Sequence, residues 1–322
     1  RERRARLRAV ARRALEYAVR EMRAPGGGFT SATDADSPTP SGESEEGWFF
    51  TWTPAELRVG LPGESAETVA RLGRFWDVSS GGNFEGRSIL HVPVAPAPFA
   101  SAEGVPVAEF LETLERARSA LYSARARRPP PGLDDKVLAD WNGLMIAALA
   151  RGSLELRLPA LASAAEGAAD FVLTRLRDDE GRLLKSARGS VASQRAFLED
   201  HAFLIRGLQE LYEATGELRW AREAFALQEA QDALFRDGET GAFYRVASDG
   251  ERLLGRDQPA DDGALPSGNA VTAENLLRFA AWTAEDSFRE RADALFAAFG
   301  EKLRRRGPGM TRMLAALDGT FD

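Results

Sequence analysis

Three acid-rich segments recur along the chain, each just ahead of a long amphipathic stretch and roughly sixty residues from the next. They are Asp134-Asp135-Lys136 leading into Trp141-Asn142-Gly143, Leu198-Glu199-Asp200-His201, and Asp261-Asp262 leading into Ser267-Gly268-Asn269. Carboxylates held in pairs can supply the proton donor and acceptor of acid–base chemistry. Asp200 is the foremost catalytic candidate, because it opens a helix whose following residues are apolar, which leaves its carboxylate partly desolvated. Asp135 is the second, with Lys136 beside it as a tuning charge. Asn142, Asn269 and His201 stand at the same helix starts, where hydrogen-bonding side chains can meet a ligand's hydroxyls. A further group, Asp34, Asp36 and Glu46 with Trp52, combines carboxylates with a flat aromatic face, a pairing suited to gripping sugars.

Each of these residues also has a structural reading. Asparagine caps helices, Asp135 and Lys136 can form a loop ion pair, and tryptophan can pack in a strand core. His201 is turned about 100° around the helix from Asp200, so packing competes with a general-base role. Asp34-x-Asp36 lacks the several spaced oxygens a hard cation needs. No metal and no cofactor are therefore assigned.

The elements that must place these groups follow from periodicity. A helix over residues 2–22 is stopped by Pro25-Gly26-Gly27-Gly28. Trp48-Phe49-Phe50-Thr51-Trp52 has strand composition, and Thr53-Pro54-Ala55-Glu56 is a capping box. From Trp141 onward helices come in pairs, the last two over 199–212 with 219–235 and 269–282 with 287–303. The first of a pair is apolar almost all round, as Phe203, Leu204, Ile205, Leu208 and Leu211 show. The second has one wet face, as Arg219, Arg222 and Glu223 against Trp220, Ala224 and Leu227 show. An inner helix backed by an outer one predicts a mainly α fold, an α/α toroid of helical hairpins with short β-hairpins in the connections. It is read as one domain over 1–322, irregular over 1–133 and regular over 134–307. All outer-to-inner connections, and so all three acidic segments, then gather at one end, where helix N-termini add unpaired N–H donors. Three hairpins from Trp141 fall short of the six of a closed ring, so an incomplete toroid is expected.

Composition removes several function classes. There is no cysteine, which excludes disulfides and thiol chemistry, and two histidines leave little for a histidine metal site. The net charge of −7 argues against a generic nucleic-acid partner. The basic opening, residues 1–13, reads as a helix with a solvated face. No run is apolar enough to span a bilayer and no signal peptide is evident, so the expectation is a cytoplasmic protein with no membrane partner. Phosphate loops, nucleophile elbows and zinc-binding histidine pairs are missing from the sequence.

Together these segments resemble a known family. Gly27-Gly28-Phe29 with Asp34-Ala35-Asp36, Glu45-Glu46-Gly47-Trp48-Phe49-Phe50-Thr51-Trp52, and Gly82-Asn83-Phe84-Glu85-Gly86 with Ile89-Leu90-His91 come in its order. So do Asp134-Asp135-Lys136-Val137-Leu138, Trp141-Asn142-Gly143-Leu144, Leu198-Glu199-Asp200 and Pro266-Ser267-Gly268-Asn269. The pattern is similar to that of the spermatogenesis-associated protein 20 family of thioredoxin-domain proteins. That resemblance implies a thioredoxin-like domain followed by a toroid similar to sugar epimerases and six-hairpin glycosidases. The cysteine-free chain is expected to represent the toroid part without the thioredoxin-like domain. Where the family shows Glu-Asp-Tyr, this sequence has Glu199-Asp200-His201, which weighs against His201 as a family catalytic residue. Two functions remain open. One is a carbohydrate-active domain, epimerase-like or glycosidase-like, acting on a sugar or glycoconjugate. The other is a non-catalytic ligand-binding or protein-docking module associated with a thioredoxin-like domain.

Overall fold

A computed structural model describes residues 2–250 and 255–320; Arg1, the first of the basic opening, lies outside the described residues. The chain begins with α1 (Glu2–Glu21), β1 (Ala32–Thr33), β2 (Asp36–Pro38), β3 (Ser44–Glu46) and β4 (Thr51–Trp52). Then come α2 (Pro54–Gly60), α3 (Ala66–Phe75), β5 (Ser88–Ile89), α4 (Pro96–Ala102), α5 (Val107–Arg125), β6 (Leu133–Asp134) and β7 (Val137–Leu138). The rest is α6 (Ala139–Leu156), α7 (Pro159–Arg175), β8 (Leu184–Arg188), β9 (Val191–Arg195), α8 (Leu198–Thr215), α9 (Leu218–Phe235), α10 (Gly268–Thr283), α11 (Asp286–Arg306) and α12 (Thr311–Asp318). Two compact units result: Thr33–Asp134, and Arg1–Ala32 with Asp135–Asp322. In chain order, the first is an insertion in the connection that leads from α1 to α6.

The inserted unit is built on α2 to α5. Thr53 caps α2 in a reciprocal capping box with Glu56, and Pro54 occupies the first turn. Its core is Trp52, Leu57, Leu72, Phe75, Phe110 and Leu114. The predicted strand at Trp48–Trp52 shortens to Thr51–Trp52, which pairs with Ser88–Ile89. Gly47, at φ 69°, turns the chain so that its carbonyl accepts from both Phe50 and Thr51. A tight turn of this kind is incompatible with extended backbone, so the aromatic composition alone misleads there.

In the hairpin unit, α6/α7, α8/α9 and α10/α11 are antiparallel pairs. The first helices of the pairs pack on one another in sequence, α6 on α8, α8 on α10, and α10 on α12, while α1 packs on α6 and α7. This inner-and-outer order is that of an α/α toroid. The inner helices approach to backbone contact. A Cβ on Gly143 would sit 2.4 Å from the Phe203 carbonyl carbon, and one on Gly207 would sit 2.6 Å from the Gly143 oxygen. Only glycine permits that crossing.

Each outer-to-inner connection starts the same way. Arg23 pairs with Phe29, Arg177 with Leu183, and Arg236 with Phe243, each by an antiparallel bridge. The three apolar partners are all buried, and each contributes roughly 1.5–3 kcal/mol. A three-stranded sheet, β7–β8–β9, then ties the first connection to the second, with Val137 opposite Ala187 and Ser186 opposite Ser193. The starts of α6 and α8 are thereby brought side by side.

Candidate functional site at the inner helix starts

Asp200, in the first turn of α8, has no solvent-accessible surface. Its Oδ2 accepts from the Phe197 amide at 2.7 Å and its Oδ1 from the Asp140 amide of α6 at 3.2 Å. The carboxylate is therefore a strut between two helix N-termini, both of which offer unpaired donors. Lys185 of β8 places its ammonium 3.5 Å from Asp200 Oδ1 and 3.5 Å from Asp140 Oδ2, and 5.4 Å from the centre of the Phe197 ring. Asp140 is itself buried and accepts from the Trp141 amide. Burial, and next the Asp140 charge, push the Asp200 carboxyl up to about 7, against the pull of Lys185 and the two amides. Two carboxylates thus share one cation whose side chain keeps 26% of its surface in solvent. Asp140 and Lys185 were not singled out in the sequence.

Around this cluster stand further groups of the helix starts, exposed to different degrees. Trp141 is 42% exposed beside Asp140. Glu199, neighbouring Asp200, is raised by burial, with Arg245 at 3.9 Å. Gly268 seats the start of α10 against Leu198 and Glu199, because a Cβ there would fall 3.0 Å from Leu198. Asp135 is exposed and pairs with Arg188 at 2.7 Å. Arg188 and Lys185 point to opposite sides of β8 by strand alternation, so the partners of Asp135 and Asp200 lie on different faces of the ribbon.

Asn142 and Asn269 make equivalent clasps. Asn142 accepts from the Phe29 amide at 2.8 Å and donates to the Phe29 and Leu138 carbonyls. Asn269 accepts from the Phe243 amide at 2.8 Å and donates to the Phe243 and Pro259 carbonyls. Each fixes the buried residue of an Arg–Phe bridge to an inner helix, and every polar atom of the amide is used. His201 donates through Nδ1 to the Phe197 carbonyl and packs edge-on against Phe235. Full burial pushes its imidazole down to about 4, so it is neutral at pH 7. Asp262 repeats the strut of Asp200 between α10 and α12, accepting from the Ser267 and Arg312 amides.

The remaining candidates belong to the inserted unit. Asp34 accepts from the Asp36 amide, and Asp36 stands directly opposite Glu46 in the β2–β3 hairpin. Trp52 is 4% exposed, with the Arg128 guanidinium 4.2 Å over its ring. Among the described residues no group of three or more His, Cys, Asp or Glu side chains is placed to hold a metal ion.

The fold and the site define an α/α-toroid-type helical-hairpin protein whose inner helix starts are joined by aspartate struts, one of them coupled to a second carboxylate and a lysine. No family model matches the chain. It is 33% identical over 335 residues to human spermatogenesis-associated protein 20, covering 96% of this chain and 43% of that protein. The mouse protein of the same name is 34% identical over 346 residues, covering 97% of this chain and 43% of the relative. The chain belongs to the spermatogenesis-associated protein 20 family and spans less than half the length of the curated relatives it matches. Among solved structures, it is similar to the Bacteroides thetaiotaomicron GH76 α-mannanase BT2949 at 14% identity, with a TM-score of 0.45, over 76% of this chain and 73% of that one. It is also similar to a D-mannose isomerase at 15% identity, with a TM-score of 0.43, over 89% and 70%.

Proposed function

We propose that the hairpin unit is a carbohydrate-binding domain whose ligand docks at the starts of α6 and α8. The observation that carries this reading is the Asp140–Lys185–Asp200 cluster, whose lysine keeps a quarter of its side chain in solvent, with the exposed Trp141 next to Asp140 in the chain. Lysine and carboxylate offer donors and acceptors to a sugar's hydroxyls, and indole offers its apolar face. In an epimerase-like or glycosidase-like reaction, Asp200 is the group whose proton is available near neutral pH. Lys185 is then its link to solvent and Asp140 the charge that holds its proton on. Asp135, paired with Arg188 on the face of β8 opposite Lys185, is the alternative carboxylate.

A second reading, a binding module without turnover, is favoured by one observation. Asp200 has no accessible surface and both its oxygens are already engaged by amides. Thermal-shift measurements against mono- and oligosaccharides test the shared premise, because a ligand selective for the folded state raises its melting temperature. Stabilisation by a sugar that disappears in Lys185→Met and Trp141→Ala is expected. Stabilisation unchanged in both variants, or none across the panel, would remove the proposed site. With a binding sugar in hand, turnover lost in Asp200→Asn separates the catalytic reading from the module.

A further inference from the structure

A groove of about 500 Å³ runs between α1 and α6. Its walls are Leu7, Ala11 and Leu15 from α1 and Ala148, Gly152 and Leu156 from α6. Gly152 sets its floor: a Cβ there would stand 2.4 Å from Leu15 Cδ1, so the Leu15 side chain lies over the space that glycine leaves open. Leu7 and Val10 each leave 58% of their surface in solvent along this helix. A concave apolar strip with large exposed aliphatic side chains has the character of a recognition surface.

The charges around the groove are strongly one-sided. The described side chains of α1 include six arginines and two glutamates, and Arg12–Glu16 and Arg20–Glu21 consume both acids in exposed pairs. Arg8 and Arg151 stand at the groove itself, with Glu155 as the one acid among the described residues that line it; the Arg8 guanidinium is bonded to the Glu155 carbonyl oxygen rather than to its carboxylate, and Arg151 lies 3.7 Å from Glu210. Arg157, beyond Glu155, adds another exposed cation. Apolar walls and a basic rim together call for an apolar stripe with acidic borders.

We propose that the α1–α6 groove docks an amphipathic helix of a partner polypeptide, its apolar stripe flanked by carboxylates. From Leu7 to Leu15 the groove runs about 12 Å, which matches roughly two turns of a helix laid along it. A second copy of this chain is a poor occupant, because a two-fold contact would set one arginine-rich α1 against the other. A bilayer surface is flat and does not enter a concave strip between two helices. A polyanion satisfies the rim and leaves the apolar walls uncovered.

A stapled synthetic helix of about four turns, with leucines on one face and glutamates along its borders, is the probe. Its twin carries lysines in place of the glutamates. Fluorescence anisotropy is expected to show the acidic probe binding at least about tenfold tighter than the basic one, weakening with salt as a charged rim requires. Ala148→Glu, at an exposed position, puts a carboxylate in the groove and is expected to weaken the acidic probe at least about tenfold. Leu7→Asp, further along the groove, is expected to act in the same direction, and circular dichroism checks that both variants keep their helices. Equal affinity for the two probes, no binding of either, or binding unaffected by both substitutions overturns the proposal. So does a concentration-dependent dimer that Ala148→Glu abolishes, or binding of anionic vesicles or polynucleotide that the same substitution abolishes.

Discussion

Replacing Asp200 by asparagine isolates one titration in the whole protein. The carboxyl sits at about 7 in the folded chain, against 3.8 for an ordinary aspartate, because burial and the Asp140 charge disfavour its ionised form. A raised folded value means that the folded state holds its proton more tightly than the unfolded chain does. The associated stability is complete below the unfolded value near 4 and is lost as pH rises through 7. Linkage arithmetic over this window gives a loss of about 2–3 kcal/mol between pH 5 and pH 8. Asparagine does not titrate, and the groups that do not touch Asp200 contribute equally to both proteins, so their pH dependences cancel in the difference. Asparagine keeps one acceptor but turns an amine toward the amide of Asp140 or Phe197, which costs about 1–3 kcal/mol at low pH. Urea unfolding at several pH values should therefore show wild type ahead at pH 5, with its lead shrinking by about 2–3 kcal/mol by pH 8. A lead that is constant with pH, or that grows, refutes the placement of a desolvated carboxyl beside Asp140.

His201 should show the opposite slope. Its value is lowered to about 4, so its contribution is present above the unfolded value of 6.5 and is lost as pH falls; relative to His201→Gln, wild type should lose about 2 kcal/mol between pH 7 and 5 by denaturant titration. Asn142→Asp and Asn269→Asp turn a carboxylate oxygen toward two carbonyls and remove their donors, so each should cost at least about 2–4 kcal/mol in urea unfolding. Gly143→Ala places a Cβ inside the backbone of Phe203, so a loss of about 1–3 kcal/mol is expected. A neutral Gly143→Ala would mean that α6 and α8 do not cross at backbone contact.

The hairpins were legible because a buried inner helix and a half-wet outer one leave different apolar patterns, as at Phe203–Leu211 and Arg219–Leu227. The helix start at Asp200 was legible for the same reason. Lys185 was not, because its position depends on β8 pairing with β7, a strand in the previous connection; a short segment such as Leu184–Arg188 does not specify its partner. Asp140 was hidden directly behind Val137-Leu138, inside the first turn it helps to join. Asparagine at a helix start predicts a local cap, yet Asn142 and Asn269 hold Phe29 and Phe243, 113 and 26 residues upstream. The division at Thr33 and Asp134 is equally non-local, since it is set by which helices share a core.

Hydrogen–deuterium exchange with a sugar that stabilises the protein tests the central claim most directly, because backbone amides report the location of binding without assuming a reaction. The account predicts added protection at Leu138–Gly143, along β8 and over Phe197–His201, with no such protection in Lys185→Met. Protection confined to the outer helices α7, α9 and α11, or identical in wild type and Lys185→Met, would contradict a ligand site at the joined starts of α6 and α8.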